Sequence, residues 1–179
     1  MIAALRILVF SAALGAAQLL PPPRDGDIRT VFWELQSRTD IFLTIEPRNV
    51  KGERAPTLTF TYNFPDKRQT SPPREVEVRA FAGQFWAPRA ELWFDLDGKE
   101  RLDVSAGVPA IGLLQGAADD YWGGPLPIEA IYRMVLVPRI RGSALGFPFE
   151  LSASQRQALR AWLDRIDPDG LPPVMRLHK

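Results

Sequence analysis

The sequence predicts a mainly β domain, an antiparallel β-sandwich with one C-terminal amphipathic α-helix. Three observations carry this expectation. Apolar and polar residues alternate over most of the length, an Asp-Gly pair joins two alternating segments, and one late segment changes to helical spacing.

The clearest strand is TLTFTYNF. Leu58, Phe60, Tyr62 and Phe64 point one way while Thr57, Thr59, Thr61 and Asn63 point the other, the period of a half-buried strand. REVEVRAF repeats the scheme with Val76, Val78 and Ala80 opposite Glu75, Glu77 and Arg79. ELWFDLDGKERLDV sets Leu92, Phe94 and Leu96 on one face, then Asp97-Gly98, then a return strand with Leu102 and Val104. Asp-Gly between alternating segments signals a hairpin, because a type I′ turn needs positive φ at both central residues. Earlier, TVFWEL and DIFLTIE form an expected first pair separated by Gln36 to Thr39. Later, YRMVLVPRI is expected as a further strand, pushed to an edge or a bulge by Pro138.

One helix is expected over residues 152–166. Ser152 caps it, Gln155 completes a capping box, and Ala158, Leu159, Trp162, Leu163 and Ile166 recur at the spacing of one apolar face. Asp167-Pro168 ends it. Such a face in a small domain covers the sandwich rather than reaching for a partner.

The N-terminus, MIAALRILVFSAALGAAQLL, has the pattern of a secretory signal peptide: Arg6, a short apolar run from Ile7, and small residues at Gly15 and Ala17. The run ends at Gln18 and Pro21-Pro22-Pro23, well short of the roughly 20 apolar residues that cross a membrane. Residues 1–17 are thus expected to be removed and the protein to be periplasmic or extracellular, without an integral span afterwards. Residues 18–27 then form a Pro-rich extended segment, 28–167 the domain, and 168–179 a C-terminal tail. A chain of this length buries about 68–70% of its unfolded surface and needs no disulfide.

Composition removes several chemistries. There is no Cys, and the single histidine, His178, lies next to the C-terminus, so thiol catalysis, thiolate zinc, haem attachment and Ser-His-Asp catalysis lack members. No cofactor and no metal are expected. The 22 basic and 21 acidic side chains come into balance once Arg6 is removed, which argues against a nucleic-acid partner. Lys67-Arg68 and Arg139-Ile140-Arg141 are small basic clusters of the kind that surfaces carry. Asp95-Leu96-Asp97-Gly98 resembles a calcium loop only superficially: with Gly98 at the sixth position, Trp93 and Val104 fall where oxygen ligands belong. No catalytic residue is assigned. Asp95, Asp103, Asp119, Asp120 and Glu129 remain the candidates for carboxylate-pair hydrolysis, and no spacing selects a pair among them.

The segment folding explains least is 105–127, rich in glycine and carrying Asp119, Asp120, Tyr121 and Trp122 together. As a loop tip, these four residues are the ligand-binding candidates, with aromatic area to stack on a sugar or peptide and carboxylates to accept hydrogen bonds. The alternative is a loop folded back so that Trp122 plugs the sandwich. Trp93 poses a similar question: on the face opposite Leu92 and Phe94 it becomes a platform beside Glu91 and Asp95. Two functional classes follow, a non-catalytic binding module of the cell envelope that contacts a glycan or another envelope protein, and a small carboxylate-dependent hydrolase acting on glycans.

Overall fold

The computed structural model describes residues 22–49, 51–81, 91–104 and 121–170. The proposed signal peptide, Asp119, Asp120, Trp86 and His178 lie outside them. Two antiparallel sheets and two helices make up the fold. The strands are β1 (Ile28–Trp33), β2 (Arg38–Ile45), β3 (Thr57–Pro65), β4 (Glu75–Phe81), β5 (Leu92–Leu96), β6 (Glu100–Asp103), β7 (Tyr121–Pro127), β8 (Ile140–Ala144) and β9 (Phe147–Glu150). The helices are α1 (Ile128–Leu136) and α2 (Ala153–Ile166). A five-stranded sheet runs β1-β2-β3-β4-β7 and a four-stranded sheet runs β6-β5-β8-β9.

Period two sets the register. Leu58, Phe60 and Tyr62 sit opposite Ile45, Leu43 and Ile41 on β2, and all six are buried. Phe60 is the centre of the core, with ring centroids 6.1 Å from Phe94 on β5 and 6.0 Å from Trp162 on α2. The second sheet and the closing helix therefore pack on the same face of the five-stranded sheet. Tilted aromatic pairs at such distances add to the gain from burying their area. The Trp162 indole N–H donates to the Ile41 carbonyl at 3.2 Å, so its one polar atom is satisfied inside.

Local signals act as the residue types dictate. Asp97 and Gly98 have φ of 58° and 71°, and Lys99 N–H closes the turn on the Leu96 carbonyl at 3.0 Å. On α2, Gln155 N–H donates to Ser152 Oγ at 3.2 Å and Ser152 N–H to Gln155 Oε1 at 3.0 Å, a complete capping box. The α2 stripe of Leu159, Trp162, Leu163 and Ile166 is fully buried. Residues 25–27 are tied to the domain: Asp25 accepts from Gln155 Nε2 at 3.0 Å and from Glu46 N–H at 2.8 Å, and Gly26 N–H donates to the Thr44 carbonyl.

Two expectations are corrected. YRMVLVPRI is not one strand: its first half belongs to α1, whose buried residues Ile128, Ala130, Ile131, Met134 and Val135 recur at helical spacing. Pro138 marks the stop, with Val137 already extended as the residue before a proline must be, and only Ile140 onward is strand β8. The end of the 105–127 segment is not loop either. Tyr121–Pro127 pairs with β4 along its whole length. Gly123 serves close approach here, since a Cβ there would lie 2.1 Å from the Val78 carbonyl oxygen.

Candidate functional site

Alternation sends every second residue of the four-stranded sheet away from the core, and these residues build the first candidate surface. With Leu92, Phe94 and Leu96 buried, Trp93 and Asp95 face outward. Trp93 lies in register between Asp103 on β6 and Ser143 on β8, and Asp95 between Arg101 and Arg141. Trp93 thus stands on the face opposite Leu92 and Phe94, half-buried.

This face is densely charged. The Arg101 guanidinium lies 4.4 Å from the centre of the Trp93 ring, a cation–π contact. Asp103 holds it there, accepting from Arg101 Nε at 2.9 Å and Nη2 at 2.7 Å. Glu150 accepts from Arg139 at 3.0 Å through each oxygen and from Arg141 at 3.2 Å. Ser143 Oγ donates to Glu91 at 2.7 Å. A hollow of about 120 Å³ at the β5–β6 turn is lined by Asp95, Asp97, Gly98, Arg139 and Arg141. The backbone allows no side chain at Gly142, directly beneath: a Cβ would lie 2.2 Å from the Trp93 carbonyl oxygen and 2.6 Å from the Phe149 ring. Chemically, the face offers an aromatic plane ringed by guanidinium donors and carboxylate acceptors.

A second candidate is an open cleft of about 580 Å³ between Gln69–Pro72 and Asp167–Gly170, at the C-terminal end of α2. Asp167 is buried at its edge and accepts a short hydrogen bond from the Tyr132 hydroxyl of α1. Burial first, then that hydrogen bond and the nearby carboxylate charge, raise the Tyr132 phenol far above its usual range, so it stays a proton donor. Tyr62 is also raised, by burial and then by Asp167, and its hydroxyl donates to the Ser71 carbonyl at 3.2 Å. Gln69 Nε2 ties the cleft wall to the end of α2 through the Ile166 carbonyl at 2.8 Å.

Of the predicted site residues, Asp119 and Asp120 lie outside the described residues. Tyr121 and Trp122 open β7, in register with Phe81 and Ala80. Trp122 shares the inner face with Val76 and Val78 and packs, partly buried, against the core. Among the hydrolase candidates, Asp95 and Asp103 share the Trp93 face and Glu129 stands in the first turn of α1. The Tyr132–Asp167 pair escapes sequence reasoning, because Asp167 reads there only as a helix stop and Tyr132 as part of a strand. Comparison with protein-family models, curated proteins and solved structures finds no match to this chain.

Proposed function

We propose that this protein is an exported, non-catalytic binding module of the cell envelope that presents the outer face of its four-stranded sheet to a glycan. The observation that carries the reading is Trp93 facing outward, with Arg101 over one face of its ring and Asp103 beside it on β6. A tryptophan plane stacks on the apolar face of a sugar, and surrounding guanidinium and carboxylate groups pair with its hydroxyls. Export rests on the N-terminal pattern of Arg6 and the short apolar run.

The test is co-sedimentation of the exported chain with purified cell-wall sacculi, run beside Trp93→Ala. Binding that falls at least tenfold in the variant, with an unchanged melting temperature, supports the reading. Equal binding by both proteins overturns it, and capture of an envelope protein in place of sacculi moves the reading to a protein partner.

One observation favours the second reading, a carboxylate-dependent glycan hydrolase: a buried carboxylate, Asp167, at the edge of the open cleft of about 580 Å³. Release of soluble sugar from sacculi by the native chain, abolished in Asp167→Asn, would establish it.

A further inference from the structure

Each sheet has two edges, and a bare edge is a template for another strand, so proteins blunt those they do not use. Three of the four edges here are blunted. On β7, Ile128 N–H donates inward to the Arg74 carbonyl, so the odd-numbered residues point to the open side, where Pro125 and Pro127 offer no N–H. On β9, Pro148 points outward and Glu150 N–H is already taken by the Arg48 carbonyl at 3.1 Å. Strand β6 has four residues, three of them charged.

Strand β1 differs. Its sequence, IRTVFW, has no proline and is β-branched or aromatic at five of six positions. Thr44 N–H donates to the Asp27 carbonyl, so odd residues of β1 face β2, while the N–H and C=O groups of Ile28, Thr30 and Phe32 point away from the sheet. Among the described residues none pairs with them. Trp33, at the end of this strand, is 44% exposed, and Val31 is half-exposed beside it on the outer face.

We infer that β1 is a homodimerisation edge, pairing antiparallel with β1 of a second copy about a two-fold axis at Val31, so that two five-stranded sheets become one continuous sheet. The register follows from side-chain parity and charge. Residues directly opposite must share a face, which allows an axis at Thr30 or at Val31. An axis at Thr30 brings the two Arg29 side chains into diagonal contact, and like charges there are unfavourable. An axis at Val31 separates them and sets each Arg29 opposite the second copy's Trp33, a cation–π pairing that covers the exposed indole. Thr30 and Phe32 of the two copies then exchange about four backbone hydrogen bonds, and Val31 meets its own counterpart in a closely spaced pair.

The experiment combines sedimentation equilibrium with cross-linking, on the exported chain. The native protein is expected to sediment as a concentration-dependent dimer. Thr30→Pro removes an outward N–H and the exposed hydrogen bond from Arg165 to Thr30 Oγ1 but no bond to β2, so it should halve the mass and leave the melting temperature within a few degrees. Because the chain has no cysteine, Val31→Cys should form a single intermolecular disulfide under mild oxidation, at a Cβ separation suited to one. Thr30→Cys, which faces Phe32, should not. A native protein that stays monomeric at its highest soluble concentration overturns the inference, as does an undiminished dimer in Thr30→Pro. Cross-linking through Thr30→Cys rather than Val31→Cys overturns the register.

Discussion

The Tyr132 hydroxyl of α1 donates to the buried carboxylate of Asp167 at the end of α2, a polar tie between the two helices. Tyr132→Phe is expected to lower stability by about 1.5 kcal/mol, the low end for a hydrogen bond to a charged group because the cleft is open to water. The pH dependence has a definite sign. With the folded phenol raised above its ordinary value near 10, its contribution is complete below that value and is lost as pH climbs through the folded pKa. Urea titrations of both proteins at neutral and strongly alkaline pH check this: the gap between them should narrow at high pH, and a constant gap would count against the pair.

Gln155 does more than complete a capping box. Its amide donates to both Asp25 oxygens at 3.0 Å and to the Glu46 carbonyl at 2.9 Å, while its oxygen accepts from Ser152 N–H. Ser152→Ala should cost about 1 kcal/mol, the value of a lost cap. Gln155→Ala removes a buried side chain that ties together exposed Asp25, half-buried Glu46 and the Ser152 cap, and should cost on the order of 2 kcal/mol. Denaturation midpoints of the two variants give the comparison, and the reverse order would show that Asp25 and Glu46 find water without loss.

Trp122 faces the core from β7, so Trp122→Ala should destabilise by about 3 kcal/mol, the low end for deleting a large aromatic from a core. Binding to sacculi should survive at temperatures where the variant is folded. A stable variant that no longer binds would return the ligand contact to Asp119–Trp122 and away from Trp93.

The strands were legible wherever one face met the core and the other met water. Leu58 to Phe64 and Leu92 to Leu96 alternate for that reason, and Asp97-Gly98 supplies the positive φ its turn needs. The helix at 153–166 was legible from its cap and its stripe. Helix α1 was not, because Tyr132, Met134 and Leu136 alternate with Arg133 by accident, and the helical period emerges only when Ile128 and Ile131 are counted with Met134 and Val135. Strand β7 was hidden by its two glycines and two prolines, residues that weaken a strand in isolation and are tolerated here on an edge. The Trp93 face was half legible: period two placed Trp93 opposite Phe94, but only the fold decides which of those faces is covered. The Tyr132–Asp167 pair, brought together from 35 residues apart, has no local signature.

The stitching of Asp25 to Gln155 across 130 residues means that the segment leading into β1 and helix α2 hold each other in place. A chain emerging from its N-terminus can form the β2–β3–β4 meander as it appears, yet the indole of Trp162 reaches the Ile41 carbonyl and the Phe60 ring only after the 121 residues that separate it from Ile41 have followed. Closure of this core therefore waits for the segment around Trp162, whatever the order in which the strands pair. Loss of the final helix would leave the apolar face of the central strands uncovered, so a polypeptide cut short before Trp162 should be cleared by proteases rather than persist as a smaller domain.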